Sequence, residues 1–199
     1  MPRNRRENPV VLSRIYTRTG DDGLTSLSDG TRTAKTDSRL VAYADVEEAN
    51  CAIGAVIAIG RPQPEITELL SRIQNELFDV GADLANPITD EPPPFPPLRI
   101  DASYIDALEE ACDRYNEDLP VLRSFVLPGG TPAAALIHTA RTVARRAERS
   151  AWAAVNEHGD TVNPLAARYL NRLSDLLFIL GRRLNADHGD VLWKPGGER

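Results

Sequence analysis

Cysteine, histidine, methionine and aromatic residues are all scarce in this chain, with two Cys, three His, one Met and 6% Phe, Trp and Tyr. Each shortage narrows the chemistry. Cys51 and Cys112 fall in helical patterns without metal-ligand spacing, and are expected as buried thiols of a reducing compartment rather than a disulfide. The histidines, His138, His158 and His188, form no Glu-x-x-His pair, which excludes a bundle-type di-iron site; the last two sit near helix ends as surface groups. A nucleophile elbow G-x-S-x-G and a P-loop G-x-x-x-x-G-K-[ST] are both missing. No apolar run approaches the ~18 residues of a membrane span. Positive charge is in deficit, at 23 Lys and Arg against 29 Asp and Glu, net -6. A general nucleic-acid or anionic-membrane surface calls for the opposite balance, so neither partner is expected and any anion site must be local. The first residues lack the apolar core of a signal peptide, so a cytoplasmic protein with residues 1–13 flexible is the expectation.

What remains is ordinary globular composition, 42% hydrophobic and 26% charged over 199 residues, enough for one domain with a proper core. Residues 10–36 are rich in Thr, Ser, Asp and Gly and show no helical period, so they read as ordered loop or short strand. From about Ser38 the pattern is helical. One helix runs from Leu40 to Ile59 and breaks at Gly60-Arg61-Pro62-Gln63-Pro64. In the next, Ile66, Leu70, Ile73, Leu77, Val80 and Leu84 recur at 3/4 spacing until Asn86-Pro87 stops it. Glu91 to Pro97 is an extended, Pro-rich connector. Asp101 caps a shorter helix to about Glu117, and Pro120 to Gly130 is a second loop. Thr131-Pro132 and Asn163-Pro164 are N-cap and first-turn pairs that open the last two helices. In the final one Leu170, Leu173, Leu177, Leu180 and Leu184 face the core, while Arg168, Asn171 and Asp175 line another face. Together these predict an all-α, antiparallel five-helix bundle with a long ordered N-terminal loop, a single domain over 1–199.

Two constellations stand out. The stretch from His138 to Arg149 holds four arginines in nine residues. At helical spacing Leu136, Ala140, Val143, Ala147 and Ala151 form an apolar stripe, with His138, Arg141, Arg145 and Arg149 roughly opposite. Guanidinium groups aligned on one face repel unless an anion lies between them, and Arg is shaped to grip phosphate or carboxylate through paired donors. A solvated face neutralised by acids of a neighbouring helix is the competing reading. The second constellation is Tyr16-Thr17-Arg18-Thr19-Gly20-Asp21-Asp22-Gly23-Leu24-Thr25-Ser26 with Lys35 downstream. Glycines, hydroxyls and a lysine can cradle phosphate, or be merely a turn-rich loop. Such a protein offers anion-binding groups and few reactive ones, which suits a reaction whose nucleophile arrives with a substrate.

The blocks Tyr16 to Gly23, Lys35, Phe125-Val126-Leu127-Pro128-Gly129-Gly130, Ala140 to Arg149 and Tyr169 to Asp175 occur in this order. Together they closely resemble the PduO-type ATP:cob(I)alamin adenosyltransferases, from about residue 14 to 185. The resemblance implies a homotrimer with ATP sites between subunits, transferring the 5′-deoxyadenosyl group of ATP to cob(I)alamin and releasing triphosphate. It implies that Thr17, Arg18, Thr19, Gly20, Thr25, Ser26 and Lys35 bind ATP. Arg145, Arg146, Ala147, Glu148 and Arg149 would join them from the arginine helix and Asn171 from the last. Mg²⁺ would ride on the phosphates, Arg145 would be catalytic, and Phe125 would close over the lower face of the corrin and displace its axial base.

One departure concerns the helix after the loop, where the family usually reads Gly-x-x-Asp-Glu-Leu-Asn and this chain has Ala44-Asp45-Val46-Glu47-Glu48-Ala49-Asn50. Glu47 stands where the family has an Asp paired with Arg141 across the subunit boundary, keeping the charge with one more methylene. A reductase and an adenosylcobalamin-dependent mutase are the partners the resemblance implies. A non-catalytic ATP or corrinoid sensor or chaperone, and a trimeric interaction bundle with an incidental basic face, are the alternatives.

Overall fold

The computed structural model describes residues 15–90 and 96–198. The expected flexibility of residues 1–13 and most of the Pro-rich connector lie outside that range. A two-stranded antiparallel hairpin, β1 (Leu24–Ser26) and β2 (Arg32–Ala34), is followed by five helices: α1 (Ser38–Ala55), α2 (Pro64–Leu84), α3 (Ala102–Asn116), α4 (Pro132–His158) and α5 (Pro164–Arg183). The all-α bundle expected from periodicity is the fold observed, and the loop before it contains the short strands. Among the described residues no helix is long and apolar enough to cross a membrane.

Four of the five helices start at a side-chain cap, and α2 starts at Pro64 without one. Asp37 accepts from the Arg39 amide at 2.8 Å, and Asp101 from that of Ser103 at 2.9 Å. Thr131 takes the Ala134 amide at 3.1 Å and Asn163 that of Leu165 at 3.0 Å, each ahead of a proline whose missing N–H costs nothing there. α1 ends in a π-turn, Val56–Gly60, with Arg61 left-handed at φ 48°. A Cβ on Gly60 would lie 2.9 Å from Ala133 Cα, so glycine lets the end of α1 touch the start of α4.

Cross-helix contacts fix the directions. Asn50 meets Gln74, Asp45 meets Ser150, and Arg145 meets Ser174, so α1/α2, α1/α4 and α4/α5 are antiparallel pairs. At one end Asp83, fully buried, accepts from Arg99 at 2.6 Å, the Ile100 amide at 2.8 Å and Asn163 at 2.6 Å. That carboxylate knots the end of α2 to the starts of α3 and α5, and its lone pairs are satisfied, as burial of a charge requires.

α4 lies between α1 and α5 and buries Ala133, Ala134, Ala140, Ala144, Ala147, Ala151 and Ala154 with Ile137. Burial on two flanks corrects the simple two-sided reading of this helix. Leu136 and Val143 are only half-buried, whereas His138, expected on the polar side, is 3% exposed. Its ring packs on Gly181, where a Cβ would meet it at 3.0 Å, and edge-on to Phe178 at 6.3 Å. Burial, with Arg141 adjacent, lowers its pKa and keeps it neutral. A second correction concerns Cys51, which is exposed on the outer side of α1. Cys112 is half-buried, and burial pushes its thiol up to about 11, so it stays protonated.

Candidate active site

The N-terminal loop is built from tight turns. Arg18 is left-handed at φ 63°, the Asp21 amide donates to Arg18 O at 3.4 Å, and the Gly23 amide to Gly20 O at 3.3 Å. Gly20 has a direct reason to be glycine: a Cβ there would stand 2.9 Å from Lys35 Nζ and 3.1 Å from Leu24 O. Lys35 is thus folded back over the loop's turn, and its own amide donates to Gly23 O at 2.9 Å. The Thr17 and Thr19 hydroxyls lie 2.9 Å apart, both exposed, and Thr25 and Ser26 follow on β1. Arg32 braces the arrangement by donating to Thr19 O at 3.1 Å. The sequence-predicted residues of this loop thus fall into a Thr17–Thr19 pair and a Gly20–Lys35 contact, with Thr25 and Ser26 on opposite faces of β1. The loop docks on the bundle through Ser28, which donates to Ala85 O at 2.8 Å, and through Asp37, 2.9 Å from His158 at the end of α4.

The arginine row divides sharply. Arg146 is neutralised by α1, lying 3.6 Å from Asp45 and paired with Glu48, as the solvated-face reading requires. The others are not. Among the described residues no carboxylate forms a salt bridge with Arg141, Arg145 or Arg149. Arg145 only donates to the Ser174 hydroxyl, at 3.2 Å. Arg141 packs over Phe178 at 5.9 Å with its buried Nε unpartnered, and burial together with Arg145's charge lowers its pKa. In an acidic protein, α4 thus carries three guanidinium groups with no acid partner among the described residues, and Arg is the side chain shaped to pair with an anion.

Glu148 and Asn171, implied separately as ATP contacts, touch each other. Asn171 Nδ2 donates to Glu148 Oε1 at 2.9 Å, while Glu148 Oε2 is buried without a donor. Both line a cleft of about 400 Å³ between α3, α4 and α5, with Trp152, Leu165 and Ile105 as apolar walls and Arg168 at its edge. Ala147 does not join them. It is fully buried, because its place in the helical period points it into the core.

Phe125 is 78% exposed. Its loop is held by α5 and the segment beyond it. Asn185 Nδ2 donates to Gly129 O at 2.9 Å, Arg182 to Pro120 O at 2.7 Å, and the Leu127 amide to Val191 O at 2.8 Å. The Trp193 amide donates to Phe125 O at 2.8 Å, and the two rings meet edge-to-face at 6.1 Å. They flank an open hollow of about 730 Å³ that also includes Leu192 and Pro195. Trp193 was not among the residues the sequence singled out. Its only signal there is the apolar run Val191-Leu192-Trp193 after a Gly-Asp turn.

Glu47 is exposed on α1 and pairs with nothing among the described residues, so no Glu47–Arg141 contact forms within one chain. The larger pieces are also apart. The loop docks at the His158 end of α4, about 20 Å of helical rise from Arg145, and Phe125 is anchored near the opposite end, by α5's C-terminus.

Comparison with known proteins shows the family. The cobalamin adenosyltransferase family matches residues 15–184. A corrinoid adenosyltransferase of Mycobacterium tuberculosis is 67% identical over 190 residues, covering 96% of this chain and 97% of the relative. One from Bacillus subtilis is 40% identical over 179 residues, covering 88% and 89%. Among solved structures, a phenylalanine-to-alanine variant of a PduO-type ATP:corrinoid adenosyltransferase from Lactobacillus reuteri, complexed with cobalamin and ATP, superposes with TM-score 0.82 at 33% identity, covering 92% of this chain and all of that one. An arginine-to-lysine variant of the same kind of enzyme, complexed with ATP, gives 0.79 at 33% identity, covering 90% and 100%. The chain belongs to the cobalamin adenosyltransferase family and, within it, is a PduO-type corrinoid adenosyltransferase.

Proposed function

We propose that this enzyme moves the 5′-deoxyadenosyl group of ATP onto cob(I)alamin by direct attack of cobalt(I) on C5′, giving adenosylcobalamin and free triphosphate. The observation that carries the reading is the unneutralised row Arg141, Arg145 and Arg149. The cobalt(I) of the substrate supplies the electron pair for the new Co–C bond, so no side chain has to act as nucleophile. The C5′–O bond breaks, its electrons pass to the triphosphate, and negative charge grows there. Arg145 and Arg149, with no acid to hold them, are free to meet that charge, and Lys35 and the hydroxyls of Thr17, Thr19, Thr25 and Ser26 grip the phosphates from the loop. Donors placed before the charge develops lower the barrier most. Mg²⁺ belongs to the ATP phosphates in this scheme.

The nucleoside end fits the cleft beside Glu148 and Asn171, where apolar walls receive the base and the unpartnered Glu148 Oε2 can accept from a hydroxyl. The hollow between Phe125 and Trp193 takes the apolar lower face of the corrin. An aromatic wall there excludes water and the axial base, which makes cobalt(II) easier to reduce. Because loop, arginines and hollow are spread along α4 in one copy, the complete site is assigned to the junction between subunits of a homotrimer. Glu47 of one copy would then pair with Arg141 of the next. A reductase supplying cobalt(I) and a mutase receiving the product, both in the cytoplasm, complete the proposal.

Anaerobic incubation with Mg·ATP and chemically reduced cobalamin, followed by absorbance, tests it. Conversion to the adenosyl form with one triphosphate released per corrin is expected. Binding of both substrates without conversion would instead make the chain a carrier or sensor.

A further inference from the structure

Away from the arginine row, where the hairpin meets the bundle, Asp37, Glu157 and His158 converge. One ligand atom from each lies within 4.8 Å of the other two. Asp37 precedes α1, and Glu157 and His158 close α4. His158 Nε2 is 2.9 Å from Asp37 Oδ1, with the two side chains 25% and 17% exposed. The fold already explains Asp37, which caps α1 through Arg39 and accepts from Thr33 Oγ1 at 2.9 Å. It does not explain Glu157, whose exposed carboxylate has no hydrogen-bond or ion-pair partner among the described residues and yet points toward another carboxylate. Two carboxylates brought to one imidazole repel each other, and a cation held among the three groups relieves that repulsion.

We propose that Asp37, Glu157 and His158 form a site for a divalent transition ion of the zinc class, distinct from any ion carried on ATP. One imidazole nitrogen and two carboxylate oxygens make a mixed N/O set, which selects zinc and its neighbours over Mg²⁺ and Ca²⁺. Three protein ligands leave a position for water. Bonds of about 2.0–2.1 Å in a tetrahedral site hold their donor atoms roughly 3.3 Å apart. The His158–Asp37 contact therefore has to open by only a few tenths of an ångström, and Glu157, being exposed, is free to swing inward. The metal takes the place of the hydrogen between Nε2 and Oδ1: the ring keeps one hydrogen, on Nδ1, and the Nε2 lone pair becomes the metal bond, a proton leaving to solvent only when the ring starts as imidazolium. Asp37 keeps its bonds from Arg39 and Thr33, which orient the carboxylate as an outer shell does in built metal sites. The occupied site would staple the hairpin that carries Lys35 to the end of α4.

The test uses the full chain, stripped with chelator and free of nucleotide. Co²⁺ is titrated by visible absorbance and Zn²⁺ by calorimetry, for the parent protein and for His158→Ala and Glu157→Gln, with folding checked by circular dichroism. One ion per chain is expected, with affinity weaker by roughly tenfold or more in His158→Ala. Glu157→Gln, an exposed and nearly isosteric change, should weaken binding to a smaller but measurable extent. Absence of saturable binding at one ion per chain, or affinity undiminished in His158→Ala, would overturn the assignment.

Discussion

Replacing Gly130 by Ala probes how the Phe125 loop is held. Gly130 has φ 101°, and a Cβ built there would stand 2.1 Å from Asn185 Oδ1 and 2.3 Å from its Nδ2. Asn185 is 2% exposed and serves both sides of the loop's exit: Oδ1 accepts from the Thr131 amide at 2.9 Å, and Nδ2 donates to Gly129 O at 2.9 Å. The methyl group cannot coexist with that side chain, so Asn185 must leave. Losing two hydrogen bonds costs about 1 kcal/mol each, and the backbone strain adds about 1–3 kcal/mol. The sum, about 3–5 kcal/mol, corresponds to a fall in Tm of roughly 6–20 °C for a chain of this size. Gly189→Ala is the matched control. It has φ 78° with nothing within 4 Å of the added atom, so it carries backbone strain alone. Denaturant unfolding at constant m-value, with thermal melts, reads both. Gly130→Ala melting within about 1 kcal/mol of Gly189→Ala would refute the latch.

Arg145→Ala removes an exposed side chain whose only hydrogen bond among the described residues is to Ser174, so stability should hardly change while turnover falls by roughly 30- to 1000-fold, the equivalent of about 2–4 kcal/mol. Near-normal kcat with unchanged circular dichroism would remove it from the reaction. Phe125→Ala should leave ATP affinity within a few-fold, slow the reaction from cobalt(II) sharply, and slow that from ready-made cobalt(I) less; paramagnetic resonance should show the four-coordinate cobalt(II) signal fading. For Glu47 and Arg141, a double-mutant cycle on assembly or rate should give a coupling of about 1 kcal/mol or more, and strict additivity would mean that the longer side chain no longer pairs.

Much of this architecture is legible in the chain itself, for identifiable reasons. α2 carries one clean apolar row, and its residues from Ile66 to Leu84 are buried because a helix packed on one side buries one stripe. The caps at Asp101, Thr131 and Asn163 act locally, so short-range sequence suffices for them. α4 resists the same logic. Clasped from two flanks, it buries more than half its circumference, and the added arc admits His138 only because Gly181 on α5 has no side chain. That fact depends on a residue 43 positions away in sequence. Cys51 fails in the opposite direction, since a weakly amphipathic helix like α1 does not announce which side faces out. At the candidate site, Lys35 and Gly20 meet through local turns and are foreseeable. Trp193 reaches Phe125 only after the chain beyond α5 folds back, a long-range pairing that no period encodes.

The alanine flanks of α4 have a mechanical consequence. With methyl groups at most of its buried positions, where other helices carry leucines, α4 has few long side chains to re-seat in new rotamers. Sliding or rolling this helix would collide backbone against α1 and α5 before any alternative packing was reached. α4 is therefore a fixed rail, and its arginines form a ruler whose spacing no ligand can adjust. Adaptation to nucleotide or corrin is left to what hangs from the rail's two ends, the hairpin docked at His158 and the loop latched by Asn185.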